Sequence, residues 1–511
     1  MPNIYQSAMF NAQRFPGKVA VSDAASNLSF ERFCERSRAL ALYLEGFGVR
    51  AGERVAIMAD NSIDYLALMH AAAVTGLILV PVNIRYSADE LLYLLNDCEP
   101  RVLIVDAEFR PTVATIEAKL GGSITILDSL PADLPDYGAL SVPARRFGQV
   151  ADDDVAIILY TSGTTSRPKG AMITHGNLAW NAINYMVELG VDETARAILA
   201  TPLFHVGGFG VVNGPVLYAG GSLHILPRFR PRDTLDMLQT VQPTHLFLLS
   251  TMWVGLTDLP DFTEHSVPSV TFVQTAAAPL GEWRQEQIRK VFSQAEFSWG
   301  FGQTESCVTT IKNRYTHEIL THPGSTGYFW RHFNYRFVDE QRALLADQNG
   351  PGILEIKGPT IFKGYWRQPE LTAETLSPDG WLHTGDIIRL DSDGFAYFMG
   401  RSKDMIKTGG ENVAALEVEN CLVRHGQIAE AAVLGMPHEY WGEELVAAVV
   451  PAGITVPDVA ELRAFCRAQL AAFKVPKRFV ILDALPHSSS GKVQKFMLKD
   501  RIKSMLDQDS P

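Results

Sequence analysis

Between residues 29 and 160, short apolar runs alternate with segments of helical periodicity, and that alternation limits the fold more than any other feature of the chain. From Ser29 onward, Phe30, Phe33, Cys34, Ser37, Ala41 and Leu44 recur at helical spacing, and Gly46 and Gly48 close the element. The runs RVAIMA (54–59), LILV (77–80) and RVLIVD (101–106) are short enough for buried strands, with a second helix between the first two. Strand and helix in regular exchange predict a parallel, layered α/β body. A further apolar run at 155–159 has turn residues directly after it, which places the next segment at the C-terminal end of a strand. Open α/β sheets bind their ligands there.

The stretch YLALMHAAAVTGLILVPVNI (65–84) approaches the length that spans a bilayer. His70, Thr75, Gly76 and Pro81 interrupt it, so it divides into a helix ending near Gly76 and a short buried strand, and no membrane span is expected. Texture changes between about 325 and 400, where short runs such as GILEIKG and GFAYFMG are separated by Gly, Pro, Asp and Asn and predict small β-structure. Beyond GRSKD (400–404), the segments EAAVLGM and LVAAVVPAG, a helix around 459–472 and RFVILDALP form a compact α+β domain of their own. At 511 residues the chain exceeds one core, and roughly 150 residues per domain predicts three or four lobes.

The formal charge is 45 minus 57, or −12, and residues 401–511 hold 14 basic and 14 acidic residues, so the whole excess lies before residue 401. An acidic body repels a phosphate backbone, which argues against nucleic-acid binding and requires a local site for any bound phosphate. The five cysteines are scattered, odd in number and without C-x-x-C spacing, which suggests neither a disulfide framework nor a zinc site. No basic start precedes an apolar run in MPNIYQSAMFNAQRFPGK, so a cytoplasmic location is expected.

The segment YTSGTTSRPKGAMITHGN (160–177) follows the 155–159 run. Its small residues bring backbone N–H groups close to an anion, the hydroxyls of Thr161, Ser162, Thr164 and Thr165 add donors beside Gly163, and Lys169 adds a positive charge. That is a phosphate cradle. It is not a G-x-x-x-x-G-K-[ST] loop, because Pro168 stands where that motif has glycine and Gly170 where it has a hydroxyl.

Here the chain resembles the adenylate-forming superfamily of acyl-CoA synthetases, aryl- and fatty-acid CoA ligases, firefly luciferase and peptide-synthetase adenylation domains. Seven motifs agree in order: the phosphate loop, PLFHVGG (202–208), AAAPL (276–280), GFGQTES (300–306), DGWLHTGD (379–386), GRSKDMIKTGGENV (400–413) and SSSGKVQK (488–495). The resemblance implies a large N-terminal body of two layered α/β sheets plus a small β-barrel-like region, residues 1–402, and a mobile C-terminal α+β domain, residues 403–511. It also implies ATP-dependent activation of a carboxylic acid to an acyl-adenylate, then transfer to coenzyme A, with Mg²⁺ required. A carboxylate is a poor electrophile, and its activation on the α-phosphorus of ATP rests on positioning and on neutralising phosphate charge.

On that basis Glu305 is the carboxylate for Mg²⁺, a hard cation that takes oxygen ligands, and Thr304 is a phosphate contact. Ala276, Ala277, Ala278, Gly300, Phe301, Gly302 and Gln303 form the adenine and acyl walls. Asp386, an acceptor-only group, suits both ribose hydroxyls, with Arg401 the second ribose contact. Each alone is more often an exposed loop charge or an ion-pair member. His205 borders the acyl tunnel, although a lone histidine on an apolar stretch is more often a packed core residue. Lys492 is carried to the α-phosphate and carboxylate oxygens for the first half-reaction, where an isolated terminal lysine would ordinarily be a solvated one. Lys403 stands at the hinge. Gly409 and Gly410 form the narrow wall along which pantetheine arrives, and Lys407 resembles a lysine of the same second-step face. Walls at 205–208, 251–253, 274–278 and 299–301 give a mainly apolar and aromatic acyl pocket without an ammonium-binding aspartate, which disfavours an amino acid substrate. Delivery to a carrier-protein phosphopantetheine, an enzyme that stops at the adenylate, a silent nucleotide-binding regulator and a homodimer all stay open. Three departures stand out: Ser166 replaces a usual glycine, Ala276-Ala277 replace Gly-Gly, and Ala415 stands where proline is common.

Overall fold

The structure is a computed structural model that describes residues 2–121, 124–131, 134, 150–161, 167–276, 280, 282–453, 458–487 and 493–508. Its internal contacts divide the chain into two units. One comprises Met1–Ala276, Glu286–Asn334 and Ile356–Leu382; the other comprises Ala277–Gln285, Tyr335–Glu355 and His383–Pro511.

The predicted first helix forms as Phe30–Gly46, with the Ser29 hydroxyl accepting from the Arg32 amide and Phe30, Phe33, Cys34, Ser37, Leu40, Ala41 and Leu44 buried on one face. The apolar 65–84 stretch divides as expected. Its helix, Ile63–Thr75, ends on Gly76 in the left-handed region at φ 74°, and the buried strand Ile78–Pro81 follows. Among the described residues, no helix is long and apolar enough to cross a membrane, and all five cysteines are buried and free.

Among the described residues the first unit carries two large sheets. One has nine strands in the order Tyr328–Phe329, Val308–Lys312, Glu296–Gln303, Phe272–Ala276, His245–Leu249, Arg196–Leu199, Ser222–Ile225, Val19–Ser22 and Asn27–Ser29. Its centre is parallel, and antiparallel pairs close both edges. The other has seven strands: Gly364–Tyr365, Lys169–Thr174, Val155–Thr161, Ile78–Pro81, Arg54–Met58, Val102–Val105 and Thr125–Leu127. The expected parallel, layered body is present with antiparallel pairs at its sheet edges. The segment after Val155–Thr161 returns at once as the antiparallel strand Lys169–Thr174, because a connection this short permits a hairpin and not a crossover.

The predicted small β region forms a four-strand sheet of Asn334–Val338, Gly352–Lys357, Leu382–Leu390 and Ala396–Arg401. In the second unit, alternate residues of Gly442–Pro451 feed two separate cores. Leu445, Ala447 and Val449 join Val418 and Leu462, whereas Val446 and Ala448 join Leu498 and Ile502. A strand covered by helices on both faces reads as an unbroken apolar run, and LVAAVV is that run.

Candidate active site

Thr161 and Lys169 are Cα partners at the mouth of the hairpin, so the predicted phosphate loop is held at both ends; Ser162, Gly163, Thr164, Thr165 and Ser166 lie outside the described residues. Lys169 is the first residue of a strand and not a loop residue, which fixes its backbone. A Cβ on the next residue, Gly170, would lie 2.7 Å from Ile158 Cγ2 within the hairpin and 3.3 Å from Trp366 Cβ, so glycine there lets neighbouring chain pack directly over the hairpin. That neighbour is Gly364–Tyr365, paired with Lys169–Thr174 and continued by the Trp366 amide donating to the Gly170 carbonyl at 2.8 Å.

Tyr365 joins the two charged groups of this site. Its hydroxyl donates to Glu305 Oε1 at 2.7 Å, and the Lys169 ammonium stands 5.5 Å from its ring centroid. The Glu305 main chain is fixed as well, its carbonyl accepting from the Phe362 amide at 2.8 Å. Glu305 lies in the single turn Thr304–Ser306, directly after the strand Glu296–Gln303 that carries Gly300, Phe301, Gly302 and Gln303. No group of three or more His, Cys, Asp or Glu that could cage a metal is present among the described residues. One partly exposed carboxylate suits Mg²⁺, which keeps several waters and takes its remaining ligands from substrate phosphates.

The PLFHVGG segment caps the same sheet. His205 precedes the short helix Val206–Gly210, is half-buried and tilts against Phe204 with ring centroids 4.8 Å apart. Its two glycines have separate reasons. A Cβ on Gly208 would lie 2.1 Å from the Pro202 carbonyl oxygen, and one on Gly207 would meet the Phe247 ring at 3.1 Å. Phe247 pairs in register with Gln274, which pairs with Ser298, while Ala276 pairs with Gly300. Gln274, Ala276 and Gly300 therefore share one sheet face with Phe247, on which the helical segment packs. Ala277 and Ala278 lie outside the described residues. Trp253, within the expected wall at 251–253, is fully buried with its ring against Phe292. Gly302 is obligatory, since a Cβ would fall 1.6 Å from the Val308 carbonyl oxygen. The turn after Glu305 is strained: Cys307 and Val308 sit at φ 49° and 101°, and the second is costly for a β-branched residue.

In the second unit, Asp386 and Arg401 are Cα partners on adjacent strands and form an ion pair of 2.9 Å, the Asp386 side chain 2% exposed and that of Arg401 37%. Lys403 is exposed in the turn Ser402–Asp404. The exposed Lys407 ammonium pairs with Glu340 at 3.1 Å, a surface contact of about 0–1 kcal/mol. Gly409 and Gly410 have φ of 60° and 84°, and a Cβ on Gly409 would lie 2.9 Å from Trp441 Cε3. Lys492 lies outside the described residues. Ala415 is the first residue of the helix Ala415–Val423, the position where proline is welcome because the N–H has no helical partner; alanine, an equally good first residue, leaves the helix start intact.

Two of the site's groups went unread in the sequence. Tyr365 has no motif of its own, and the only signal for it is its place four residues before the helix proline Pro369. Lys312 ends the strand run VTTIK and is 3% exposed; a lysine closing a β-branched run ordinarily marks a strand edge at the surface.

With this geometry in view, the chain matches the family of AMP-binding enzymes over residues 10–366 and the AMP-binding enzyme C-terminal domain over residues 417–492. It is 34% identical to a feruloyl-CoA synthase of Amycolatopsis sp over 502 residues, covering 96% of this chain and 97% of that one. It is 31% identical to a 2-succinylbenzoate–CoA ligase of Geobacillus kaustophilus, with 98% of each covered. The ATP-bound structure of MatB from Rhodopseudomonas palustris superposes with a TM-score of 0.84 at 31% identity, covering 98% of this chain and 99% of that one. The chain belongs to the AMP-binding, adenylate-forming enzyme family. Within it the protein is an acid–thiol ligase of the AMP-forming acyl-CoA synthetase type, using ATP, Mg²⁺ and coenzyme A.

Proposed function

We propose that different residues of the C-terminal domain serve the two half-reactions, with an aliphatic, aromatic or polycyclic carboxylic acid as substrate. In the first, a carboxylate oxygen attacks the α-phosphorus of ATP, a new P–O bond forms, the α–β bridge bond breaks, and pyrophosphate leaves with its charge. In the second, the coenzyme A sulfur attacks the acyl carbonyl and AMP departs as the thioester forms. The observation that carries this assignment is the junction at Tyr365, where one side chain holds the Glu305 carboxylate and faces the Lys169 ammonium. An anion and a cation held on one tyrosine suit a polyphosphate with its counter-ion.

Mg²⁺, when bound, neutralises phosphate charge; Glu305 is the residue that would hold it, with Tyr365 orienting the carboxylate. Thr161, the loop 162–166 and Lys169 take the phosphates, and Thr304 adds a hydroxyl beside them. Ala276 to Ala278 and Gly300 to Gln303 wall the adenine and acyl sites, with His205 at the acyl entrance. Asp386 accepts from the ribose hydroxyls, and Arg401, its ion-pair partner, holds it in place. Lys492 serves the first half-reaction, and Gly409, Gly410 and Lys407 serve the second. The C-terminal domain from residue 403 turns about Lys403 between them. Coenzyme A is the acceptor in preference to a carrier protein, and the enzyme works in the cytoplasm.

The test is a pair of assays on the wild-type protein with a panel of acids: pyrophosphate release for the first step, and coenzyme A consumption from ready-made acyl-adenylate for the second. Pyrophosphate release without coenzyme A consumption overturns the choice of acceptor, and no release with any acid overturns the site assignment.

A further inference from the structure

Lys312 is buried to 3% exposure, and its ammonium has a single hydrogen-bond acceptor among the described residues, Gln274 Oε1 at 3.2 Å. Its other neighbours are ring faces, Phe272 at 3.9 Å and Tyr185 at 5.6 Å to the centroids. No carboxylate is paired with it among the described residues; the acidic group that acts on it, Glu188, is itself bound to Arg331 at 2.7 Å. Burial holds its amine well below the usual lysine range. A buried amine with one acceptor for all its donors is incompletely satisfied and is costly unless something completes it.

The surroundings show what is missing. Lys312 is the Cα partner of Gly300 across the antiparallel pair, so the residue opposite it has no side chain. A Cβ on Gly300 would lie 2.4 Å from Gln274 Nε2 and 3.6 Å from Thr309 Oγ1. The Tyr185 hydroxyl bonds Thr309 Oγ1 at 2.9 Å and Gln274 Oε1 at 3.4 Å. A connected polar patch of amine, amide and hydroxyls therefore lies on the sheet face that the PLFHVGG segment covers. It is also at the far end of that face. Phase-matched strands run from Phe272 to Ala276, about 13 Å at 3.3 Å per residue, and the amine contacts the Phe272 end while Glu305 follows the opposite end.

We propose that Lys312, with Gln274, is a specificity-determining residue of the acyl chamber, which accepts carboxylic acids bearing an oxygen acceptor at the end remote from the reacting carboxylate. The acceptor is a phenolic oxygen or a second carboxylate. This rests on the acyl-CoA ligase assignment and deepens it, and it adds a polar terminus to a pocket that its other walls make apolar. A site with buried donors discriminates strongly against an analogue that leaves them unpaired.

The experiment compares acids matched in shape: 4-hydroxycinnamate and 4-carboxycinnamate against 4-methylcinnamate, and suberate against nonanoate, by kcat/KM for pyrophosphate release. Wild type is expected to favour the phenol, the dicarboxylates or both over the methyl-ended partners by about tenfold or more. Which arm responds identifies the acceptor. In Lys312→Met the preference is expected to fall to about twofold or less while methyl-ended acids keep their turnover; Lys312→Gln, which keeps a donor and loses the charge, is expected to retain some phenol preference and lose that for the second carboxylate. A wild-type enzyme that handles methyl-ended acids as well as their polar partners overturns the proposal without any variant. So does a folded Lys312→Met or Lys312→Gln that slows every acid alike. Absence of pyrophosphate release with every acid instead strikes the ligase assignment itself.

Discussion

Tyr365→Phe removes one hydroxyl and keeps the ring that faces Lys169. The lost bond is 2.7 Å long, in the short range expected of a hydroxyl on a carboxylate, and hydrogen bonds to charged groups contribute about 1.5–3 kcal/mol. Tyr365 is 7% exposed, but Glu305 is more open, so water replaces part of the bond and the low end applies. About 1.4 kcal/mol is tenfold in an equilibrium constant, and loss of a partner that orients a metal-binding carboxylate costs about 10–100-fold in metal affinity or activity. The expected outcome is a rise of about tenfold in the Mg²⁺ concentration for half-maximal pyrophosphate release, with the acid's KM little changed. The assay is a magnesium titration of wild type and variant at saturating ATP and acid, with a thermal melt to show an intact fold. An unchanged half-saturation point would refute the reasoning, because Glu305 would then not hold Mg²⁺ through an oxygen that Tyr365 orients.

Asp386→Ala is expected to raise the KM for ATP, the unpaired ribose hydroxyls costing about 1–3 kcal/mol. It should also lower the melting temperature, because Arg401 loses the partner now at 2.9 Å; an unchanged KM places Asp386 outside the nucleotide site. Lys492→Ala should nearly abolish adenylate formation while sparing thioester formation from supplied adenylate, and equal loss of both halves refutes the division of labour. Gly409→Ala should do the reverse, since its Cβ meets Trp441 at 2.9 Å and its φ is 60°; pyrophosphate release falling with the thiol step would show a structural role alone. Burial pushes His70, His175 and His245 down to about 4, below the unfolded value of about 6.5. Between those values the unfolded chain binds more protons, so their contribution is complete above about pH 6.5 and is lost as pH falls toward 4. Melting temperature measured across that window should drop, and a flat profile from pH 7 to pH 4 contradicts the burial of these rings as neutral bases.

Much of the fold was legible because its strands are buried on both faces. LILV, RVLIVD and LVAAVVPAG appear as unbroken apolar runs, and the corresponding strands Ile78–Pro81, Val102–Val105 and Gly442–Pro451 lie in the two units' sheets. Gly76 punctuates the first of these in the left-handed conformation its position required. The hairpin from Val155–Thr161 to Lys169–Thr174 was not legible, since the hydroxyl-rich segment carries the composition of a loop and the strand begins at Lys169 inside it. The packing of Trp253 on Phe292 was also hidden, because side-chain contacts between distant segments leave no local pattern.

The groups that sequence missed have something in common. Glu305, by contrast, lies within the seven-residue motif 300–306 that ends in the turn Thr304–Ser306, so its role travels with a local pattern. Lys312 and Tyr365 owe their positions to pairing with strands distant in sequence, Lys312 opposite Gly300 and Tyr365 opposite Ala171. Their chemistry is set by what those partners lack. Gly300 makes room for the Gln274 amide that accepts from the Lys312 amine, and Gly170 lets Trp366 settle over the hairpin. In both cases a glycine inside a recognisable motif makes room for a side chain outside it. The motif glycines of this chain therefore locate neighbouring side chains as well as bare backbone, and a Cβ at Gly300 or Gly170 acts first on Gln274 or Ile158, not on the substrate.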